Sequence, residues 1–400
     1  MPWSGRETGD TASRIVREIW RHPGVSRSGL AERLSVDKST VTNQVARLLE
    51  GGVVVELEEG DASSRGGRKP IRLAVNRDYG RVLGIEIQVE SWVAVLVDLA
   101  GDVLGEVRGE RPVREGNFAE ASLAIVAEAR AALVPDGARL LGVGIGTGGL
   151  IDLKKSVIRY SVPLGISKPI DFHRDVAARL DVPCLIENDA NCCAWGELAF
   201  NKGEDLRNFL FALVEFRKDH VSRDGYGGMG IGLGIVVGGK LWSGAHGNAG
   251  EFRSVLCDGS GELQVSAPKD LVRRAGEDAD ALFAVADEVA RNVAMLVNTM
   301  DFERVFVGGD IEGLPIDFPA LLGRRLADNW MYPFPVSARI DYSSLGNRAV
   351  AFGAAGMVLD NLVSSRLLLA EDGSSLPGSN PAGGGNSFAE RDSRVPGGIR

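Results

Sequence analysis

At Cys184-Leu185-Ile186 an apolar run gives way to Glu187-Asn188-Asp189, a carboxylate, an amide and a second carboxylate. A carboxylate within hydrogen-bond reach of a hydroxyl can take its proton, so Asp189 could serve as a general base. Beside Asn188 it could equally hold a polyol without reacting. Glu251 and Gln264 supply another carboxylate and another amide, and Gly148-Gly149 would let backbone come close to a ligand. Each hydrogen bond to a sugar hydroxyl contributes about 0.5–1.5 kcal/mol net, so several must converge on one small cleft. The plainer alternatives are that Asp189 caps a helix beginning near Ala190 and that Glu251 ends a solvated strand.

A second constellation points to nucleic acid. Ser39, Thr40, Thr42, Asn43, Gln44 and Arg47 share one side of a helical stretch whose other side is Val41, Val45, Leu48 and Leu49. Short hydroxyls and amides there suit base edges and phosphates, and the positive helix end favours phosphate. Farther on, "DASSRGGRKP" sets Arg65, Arg68 and Lys69 on a glycine-rich segment that could follow a minor groove or a phosphate backbone. A flexible basic loop would read the same way.

The elements that would position these residues follow from periodicity. Ile15, Val16, Ile19 and Trp20 mark one helical face, with Asp10 or Thr11 before it as cap. Ser26 can cap a short helix carrying Leu30, Ala31 and Leu34. After the turn Ser35-Val36-Asp37, Asp37 can cap the helix with the polar face. Two helices joined by three residues, followed by "VVVELEEG" and "RKPIRLAV" as paired strands, predict a winged helix-turn-helix over 1–78. From residue 79 the pattern changes. Strands at "VLGIEIQV", "WVAVLVDL" and "VLGEV", a helix over Phe118–Leu133 and a strand "LLGVGIG" form a β-β-β-α-β order that returns after Asn208. That duplication predicts two similar α/β lobes with a cleft between them, over 79–370. The tail 371–400, rich in Gly, Ser and Pro, is expected to be disordered.

Composition sets the outer bounds. Four hundred residues with 44% hydrophobic content support several cores. The net charge is −9, but residues 1–78 hold thirteen Lys/Arg against eleven Asp/Glu, so the head carries +2 and the remainder −11. Phosphate repulsion need only be overcome locally, and that distribution fits a small DNA-contacting head on an acidic body. Cys184, Cys192, Cys193 and Cys257 lack paired CxxC spacing, and no signal peptide or membrane span is read; the expectation is a cytoplasmic protein with reduced thiols.

These pieces resemble the ROK family, named for repressors, open reading frames and kinases, over residues 12–365. The likeness rests on the order and spacing of "SRSGLA", "GGRKP", "GVGIGTGGLID", "LIENDANCCAWGE", "GMGIGLGIVVGGKLWSGAHGNAGE", "VFVGGD" and "NRAVAFGAAGMVL". It implies a winged helix-turn-helix followed by a two-lobed, actin-like (ribonuclease H-like) domain, often in a sugar-responsive transcription regulator. Asp189 matches the position of the family's kinase base and Asn188 a sugar contact, while the second glycine-rich stretch matches a phosphate motif. The first phosphate motif departs from the pattern. Where family kinases carry Asp-x-Gly-Gly-Thr, this chain has Glu86-Ile87-Gln88-Val89-Glu90, bulky and acidic, with no Lys or Arg near in sequence. The zinc motif departs too, with Arg253 and Ser254 in place of Gly and His and only Cys257 of the cysteines, and one Cys cannot close a structural zinc shell.

The expectation is therefore a regulator, most simply a repressor, without metal, cofactor or catalysis. Its partners would be double-stranded operator DNA, a small hydroxylated ligand, and further copies of the chain in a homodimer or homotetramer. The alternatives are an ATP-dependent sugar kinase retaining a DNA-binding head, and an architectural DNA binder with a decayed cleft.

Overall fold

The computed structural model describes residues 11–59, 70–201, 206–216, 229–258, 263–275, 278–365 and 368. Arg65, Arg68 and Lys69 of the basic segment and the tail 371–400 lie outside the described residues. In the head, helix α1 (Thr11–Arg21) leads through a two-residue strand β1 (Val25–Ser26) into α2 (Arg27–Leu34) and α3 (Lys38–Glu50). The caps predicted for α2 and α3 form, while of the two residues offered as cap for α1, Asp10 lies outside the described residues and Thr11 is the first residue of the helix. Ser26 Oγ accepts from Gly29 N at 3.2 Å, and Asp37 Oδ1 accepts from Ser39 N at 2.9 Å and Thr40 N at 3.2 Å. Ser35 turns the chain between the helices in the left-handed region, φ 51°. Strands β2 (Val54–Glu59) and β3 (Ile71–Val75) pair antiparallel as the wing, and β1 adds itself to β3. The predicted stripe is buried at Val41, Val45 and Leu48, with Leu49 half-buried.

The body is a duplicated module. Strands β4 (Arg81–Ile87), β5 (Ser91–Asp98) and β6 (Val103–Glu110), helix α4 (Phe118–Leu133) and strand β7 (Leu140–Thr147) open the first lobe. A small antiparallel sheet follows, β8 (Leu150–Asp152), β9 (Val157–Tyr160) and β10 (Ile170–Asp171), then a short helix α5 (Phe172–Asp175), strand β11 (Cys184–Asn188) and helix α6 (Asp189–Phe200). The second lobe holds β12 (Phe209–Phe216), β13 (Met229–Val237), β14 (Lys240–Leu241), α7 (Lys269–Arg274), α8 (Ala279–Met300), β15 (Arg304–Gly308), α9 (Phe318–Asp328) and β16 (Arg339–Tyr342), and α10 (Ala349–Ser364) returns to the first.

The two main sheets run β11-β7-β4-β5-β6 and β14-β13-β12-β15-β16. Numbered by order within each lobe, both are the same arrangement, an antiparallel meander of three strands extended on its first strand by two parallel ones. The repeated β-β-β-α-β order read from the sequence is thus a repeated topology, with the third strand of the second copy cut to two residues. The β8–β10 sheet was not foreseen, because strands of two to four residues are too short to show a period. No helix among the described residues is long and apolar enough to cross a membrane.

Helix α10 binds the parts together. It packs on β4 and β7 of the first sheet, on α6, and on α1 of the head. The approach is backbone to backbone. A Cβ on Gly353 would stand 1.5 Å from the Cys192 carbonyl oxygen of α6, and one on Gly84 of β4 would stand 2.0 Å from the Ala351 carbonyl oxygen of α10. At the far end of α10, Arg17 of α1 reaches Asp360 at 3.3 Å and Ser13 Oγ donates to the Ser365 carbonyl at 3.2 Å. Trp20, Ile15 and Ile19 share one apolar cluster with Val350, Leu359 and Val363.

Overpacking a close contact costs about 1–3 kcal/mol, and more where backbone rather than a side chain must yield. Gly353→Ala is therefore expected to destabilise by about 3 kcal/mol or more in urea unfolding. Gly116→Ala, where a Cβ meets nothing within 4 Å, should stay within about 0.5 kcal/mol of the parent. Equal midpoints for the two variants would refute the account of this packing.

Candidate functional site

The cleft is built around the start of α6. Asn188 is the cap, its Oδ1 accepting from Asn191 N at 3.2 Å while its Nδ2 donates to the Gly149 carbonyl at 3.1 Å. Asp189 is the first helical residue, with Oδ1 accepting from Ala190 N at 2.8 Å. Glu187, buried behind them, accepts at Oε1 from Asn188 N at 2.8 Å and from Asn191 Nδ2 at 3.1 Å. Its Oε2 is buried without a hydrogen-bond partner. Burial, reinforced by the Asp189 charge, pushes this carboxyl up to about 7.

The glycines serve close approach. A Cβ on Gly148 would meet Asp189 Oδ2 at 3.0 Å, and one on Gly149, where φ is 141°, would meet the Tyr160 carbonyl oxygen at 2.6 Å. In the stretch matched to a phosphate motif, Cβ atoms on Gly232 and Gly234 of β13 would strike Ala190 at 2.8 Å and 2.4 Å. Those two glycines let α6 lie against the second lobe.

A cavity of about 180 Å3 lies here, walled by Asn188 and Asp189 from one side and Glu251, Gly232 and Gln264 from the other. Gly148 and Gly149 line it as well. Glu251 remains exposed, yet its carboxyl is raised by desolvation first and then by the Asp189 charge, with Arg159 opposing. Arg159, on β9, donates to the Asn248 side chain. It was missed in the sequence because "VIRY" reads only as a strand. Gln264 borders the cavity, but its amide is occupied: Oε1 accepts from Ile231 N at 2.9 Å, and Nε2 donates to the carbonyls of Ile231 at 2.7 Å and Phe252 at 3.1 Å.

A second cavity of about 270 Å3 adjoins the first, sharing Gly148, Pro163, Asp189 and Glu215. Its walls include Glu86, Glu90 and Asp310. Glu86 is buried and accepts from Gln88 Nε2 at 2.7 Å. Burial, then the Glu215 charge, pushes it up to about 8. Gln88 N donates to the Ser91 carbonyl at 2.9 Å, closing the turn where glycines would stand in a phosphate cradle. A cation distant in sequence does arrive: Arg114 pairs with Glu90 and donates to the Val89 carbonyl at 2.7 Å. Among the described residues no three His, Cys, Asp or Glu are grouped to hold a metal, and Cys257 Sγ only approaches the Leu263 carbonyl at 3.8 Å.

On α3 the polar face divides. Ser39 Oγ and Thr40 Oγ1 both donate to the Asp37 carboxylate, at 2.6 Å and 2.5 Å, and Thr42 Oγ1 donates to the Lys38 carbonyl at 2.7 Å. The Ser39 and Thr40 hydroxyl hydrogens are committed to the cap and that of Thr42 to the helix backbone, and the bonds from Ser39 and Thr40 hold the Asp37 carboxyl well below the usual range. Asn43 and Arg47 are exposed and Gln44 half-buried, and the side chains of the three make no hydrogen bond among the described residues.

A winged helix fastened to a duplicated two-lobed body with a carboxyl-lined cleft defines the class. Residues 82–262 match the ROK family model and residues 10–55 the MarR family model, so the chain carries a ROK domain behind a MarR-type winged helix. It is 25% identical to the xylose repressor of Caldicellulosiruptor bescii over 88% of this chain and 95% of that one. It is 29% identical to the xylose repressor of Bacillus spizizenii over 62% of this chain and 60% of that protein. Among solved structures, a ROK family transcriptional regulator described as a homolog of E. coli MLC protein superposes with TM-score 0.69 at 17% identity, covering 90% of this chain and 97% of that one. A ROK family glucokinase from Streptomyces griseus, in complex with glucose and AMPPNP, gives TM-score 0.54 at 22% identity over 70% of this chain and 99% of that one. These two likenesses establish the fold.

The raised Glu86 carboxyl has a pH signature. Between its ordinary value of 4.5 and about 8 the unfolded chain gives up this proton while the folded chain keeps it. The unfolded state then binds fewer protons, so this group's contribution lowers stability as pH rises through that window and is level above it. Glu86→Gln should therefore gain stability relative to the parent in urea unfolding at about pH 8.5, with little gain at about pH 5. Glu187 and Glu197, each also pushed up to about 7, are common to both proteins and cancel in the comparison. A constant difference across pH would refute the buried, protonated Glu86.

Proposed function

We propose that this chain is a transcription repressor whose winged helix holds operator DNA and whose cleft binds a small sugar without phosphorylating it. The observation that carries the reading is α10, one helix packed against cleft-bearing α6 at one side and joined to α1 of the head at its end. The similarity to proteins named xylose repressors supports a small sugar as effector, and D-xylose is the first to test. Asn188, Asp189 and Glu251 would take its hydroxyls over a floor opened by Gly148 and Gly149, with Gln264 at the margin. Closing the lobes on the sugar shifts α6, α10 carries the shift to the head, and the head leaves its half-site. Two copies of the chain, as a dimer or within a tetramer, would match half-sites about one helical turn or a multiple apart. The proposed division is a head over 1–78, a sensing body over 79–370 and a tail over 371–400.

On DNA, Asn43, Gln44 and Arg47 have the side chains to read bases, while Ser39, Thr40 and Thr42 keep only acceptor capacity. Arg65, Arg68 and Lys69 would meet phosphate or the minor groove. Asn43→Ala should cost about 1–3 kcal/mol on operator DNA and little on random DNA. Arg68→Ala should weaken both and flatten the salt dependence. Equal losses by the two variants on both DNAs would defeat the assignment.

Asp189→Ala should leave operator affinity unchanged while removing the release and thermal stabilisation caused by D-xylose. A ligand at a hundred times its dissociation constant adds about 2.7 kcal/mol, well within a thermal-shift measurement. Loss of DNA binding in the folded variant would sink the sensor reading. The second reading, a sugar kinase with a retained head, is favoured by the position of Asp189 on the wall common to the two cavities. Release of ADP from ATP with a sugar, abolished by Asp189→Asn, would establish it instead.

A further inference from the structure

Two buried polar residues lie on the apolar face of α8. Glu288 and Asn292, each 7% exposed and one turn apart, stand among Val285, Val289 and Val293. Buried polar groups on a packing face need partners, and both have them in the loop that follows Glu251. Asn292 Oδ1 accepts from Val255 N at 2.9 Å, and its Nδ2 donates to Ser254 Oγ at 3.1 Å. Glu288 accepts at Oε1 from Ser266 N at 2.6 Å and at Oε2 from Ser266 Oγ at 2.9 Å. Between these points Ser254 N donates to the Gln264 carbonyl at 2.8 Å. Gln264 then turns its side chain to β13 and to Phe252, as described above.

Glu251 sits at the end of this network. The Gly250 carbonyl before it accepts from Leu233 N at 3.0 Å, and the Phe252 carbonyl after it accepts from Gln264 Nε2 at 3.1 Å. Both peptide neighbours of the carboxylate are therefore pinned to β13 or to the clasp. Phe252 itself is buried in the second lobe's core.

We propose that Gln264 and Asn292 are positioning residues, holding Glu251 at the cleft wall through a hydrogen-bonded clasp that does the work a structural metal would do in this loop. The donor set does not fit a metal: Ser254, Gln264 and Asn292 offer neutral hydroxyl and amide groups already bonded to one another or to backbone. Gln264 acts on the ligand through Glu251 and does not bind it. The inference rests on the reading of Glu251 as a sugar contact.

The test is calorimetric titration of the full chain with D-xylose and, separately, D-glucose. It uses the parent, Glu251→Gln, Gln264→Ala, Asn292→Ala and a control, Asn298→Ala, with the thermal midpoint of each. Asn298 lies on the same helix but bonds to the Leu326 carbonyl and the Asn329 side chain, away from the clasp. Gln264→Ala and Asn292→Ala should weaken sugar binding about tenfold, approaching the Glu251→Gln loss, as expected when one hydrogen-bonded contact is misplaced. The control should lower the midpoint without changing affinity. Amide exchange should quicken over 252–258 in Asn292→Ala while that of α10 stays slow. Dialysis against EDTA should leave the parent's affinity unchanged.

Unchanged affinity in both clasp variants beside a loss in Glu251→Gln would overturn the proposal and leave the sugar reading intact. So would an affinity that falls with EDTA and returns with zinc. No binding of either sugar by the parent, or none of the loss in Glu251→Gln, would overturn the reading of Glu251 itself and the clasp's role with it.

Discussion

The arrangement depends on how closely α10 is allowed to approach its neighbours. At Gly84 and Gly353 a single methyl group would overlap carbonyl oxygen, so the helix lies directly on the backbone of β4 and of α6. Packing that tight is not continuously deformable, since interiors are already at crystal-like density. A displacement of α6 must then be passed on or resisted, and α10 is the element that meets it. The same helix ends at the head, where Asp360 and the Ser365 carbonyl hold α1. Helix α6 also answers to the second lobe, through Ala190 against Gly232 and Gly234 and through Glu197 Oε1, which accepts from Ser343 Oγ at 2.6 Å.

The second cavity is rich in carboxyl groups. Glu86, Glu90, Asp189, Glu215 and Asp310 line the second cavity, and Arg114 is already spent on Glu90. Two like charges at about 4 Å in a partly screened protein site repel by about 4 kcal/mol, and a phosphate entering here would meet several. Keeping Glu86 protonated eases the repulsion among the carboxyls without supplying any attraction for an anion. A neutral polyol carries no net charge for this field to repel, and carboxylates are strong acceptors for its hydroxyl hydrogens.

Much of this was legible in the sequence, for particular physical reasons. Caps are local, so Ser26 and Asp37 announced α2 and α3, and the helix Phe118–Leu133 fell where its pattern placed it. The duplicated lobes were visible because strand length and order repeat. Other features were hidden because they are tertiary. Arg114 meets Glu90 across twenty-four residues, Arg159 comes to the cleft from a strand with no chemical signature, and Arg17 meets Asp360 from the opposite end of the chain. The packing role of the β13 glycines is also tertiary: the resemblance matches their stretch to a phosphate motif, and only the structure shows that Gly232 and Gly234 make room for Ala190. Gln264 was read as a ligand group because it carries an amide near the right place, and only its three bonds reveal that the amide is already in use.

Magnitudes decide where the switching energy would come from on the proposed reading. A partly exposed ion pair such as Arg17–Asp360 contributes about 0–1 kcal/mol, too little to hold or release an operator by itself. The apolar packing of α1 against α10, within the cluster that holds Ile19 and Trp20, is the stronger part of the joint, but it is non-directional and does not sense a ligand. Moving a two-state equilibrium from 1:99 to 99:1 takes about 5.5 kcal/mol of differential binding. Hydrogen bonds to charged groups contribute about 1.5–3 kcal/mol each. About two to four such bonds, made to Asp189 and Glu251 only when the lobes are closed, would therefore suffice. The discriminating energy sits at the cleft, and the joint's task is to stay rigid enough to transmit it. That is why the glycines under α10 matter more to the response than the ion pair at its end.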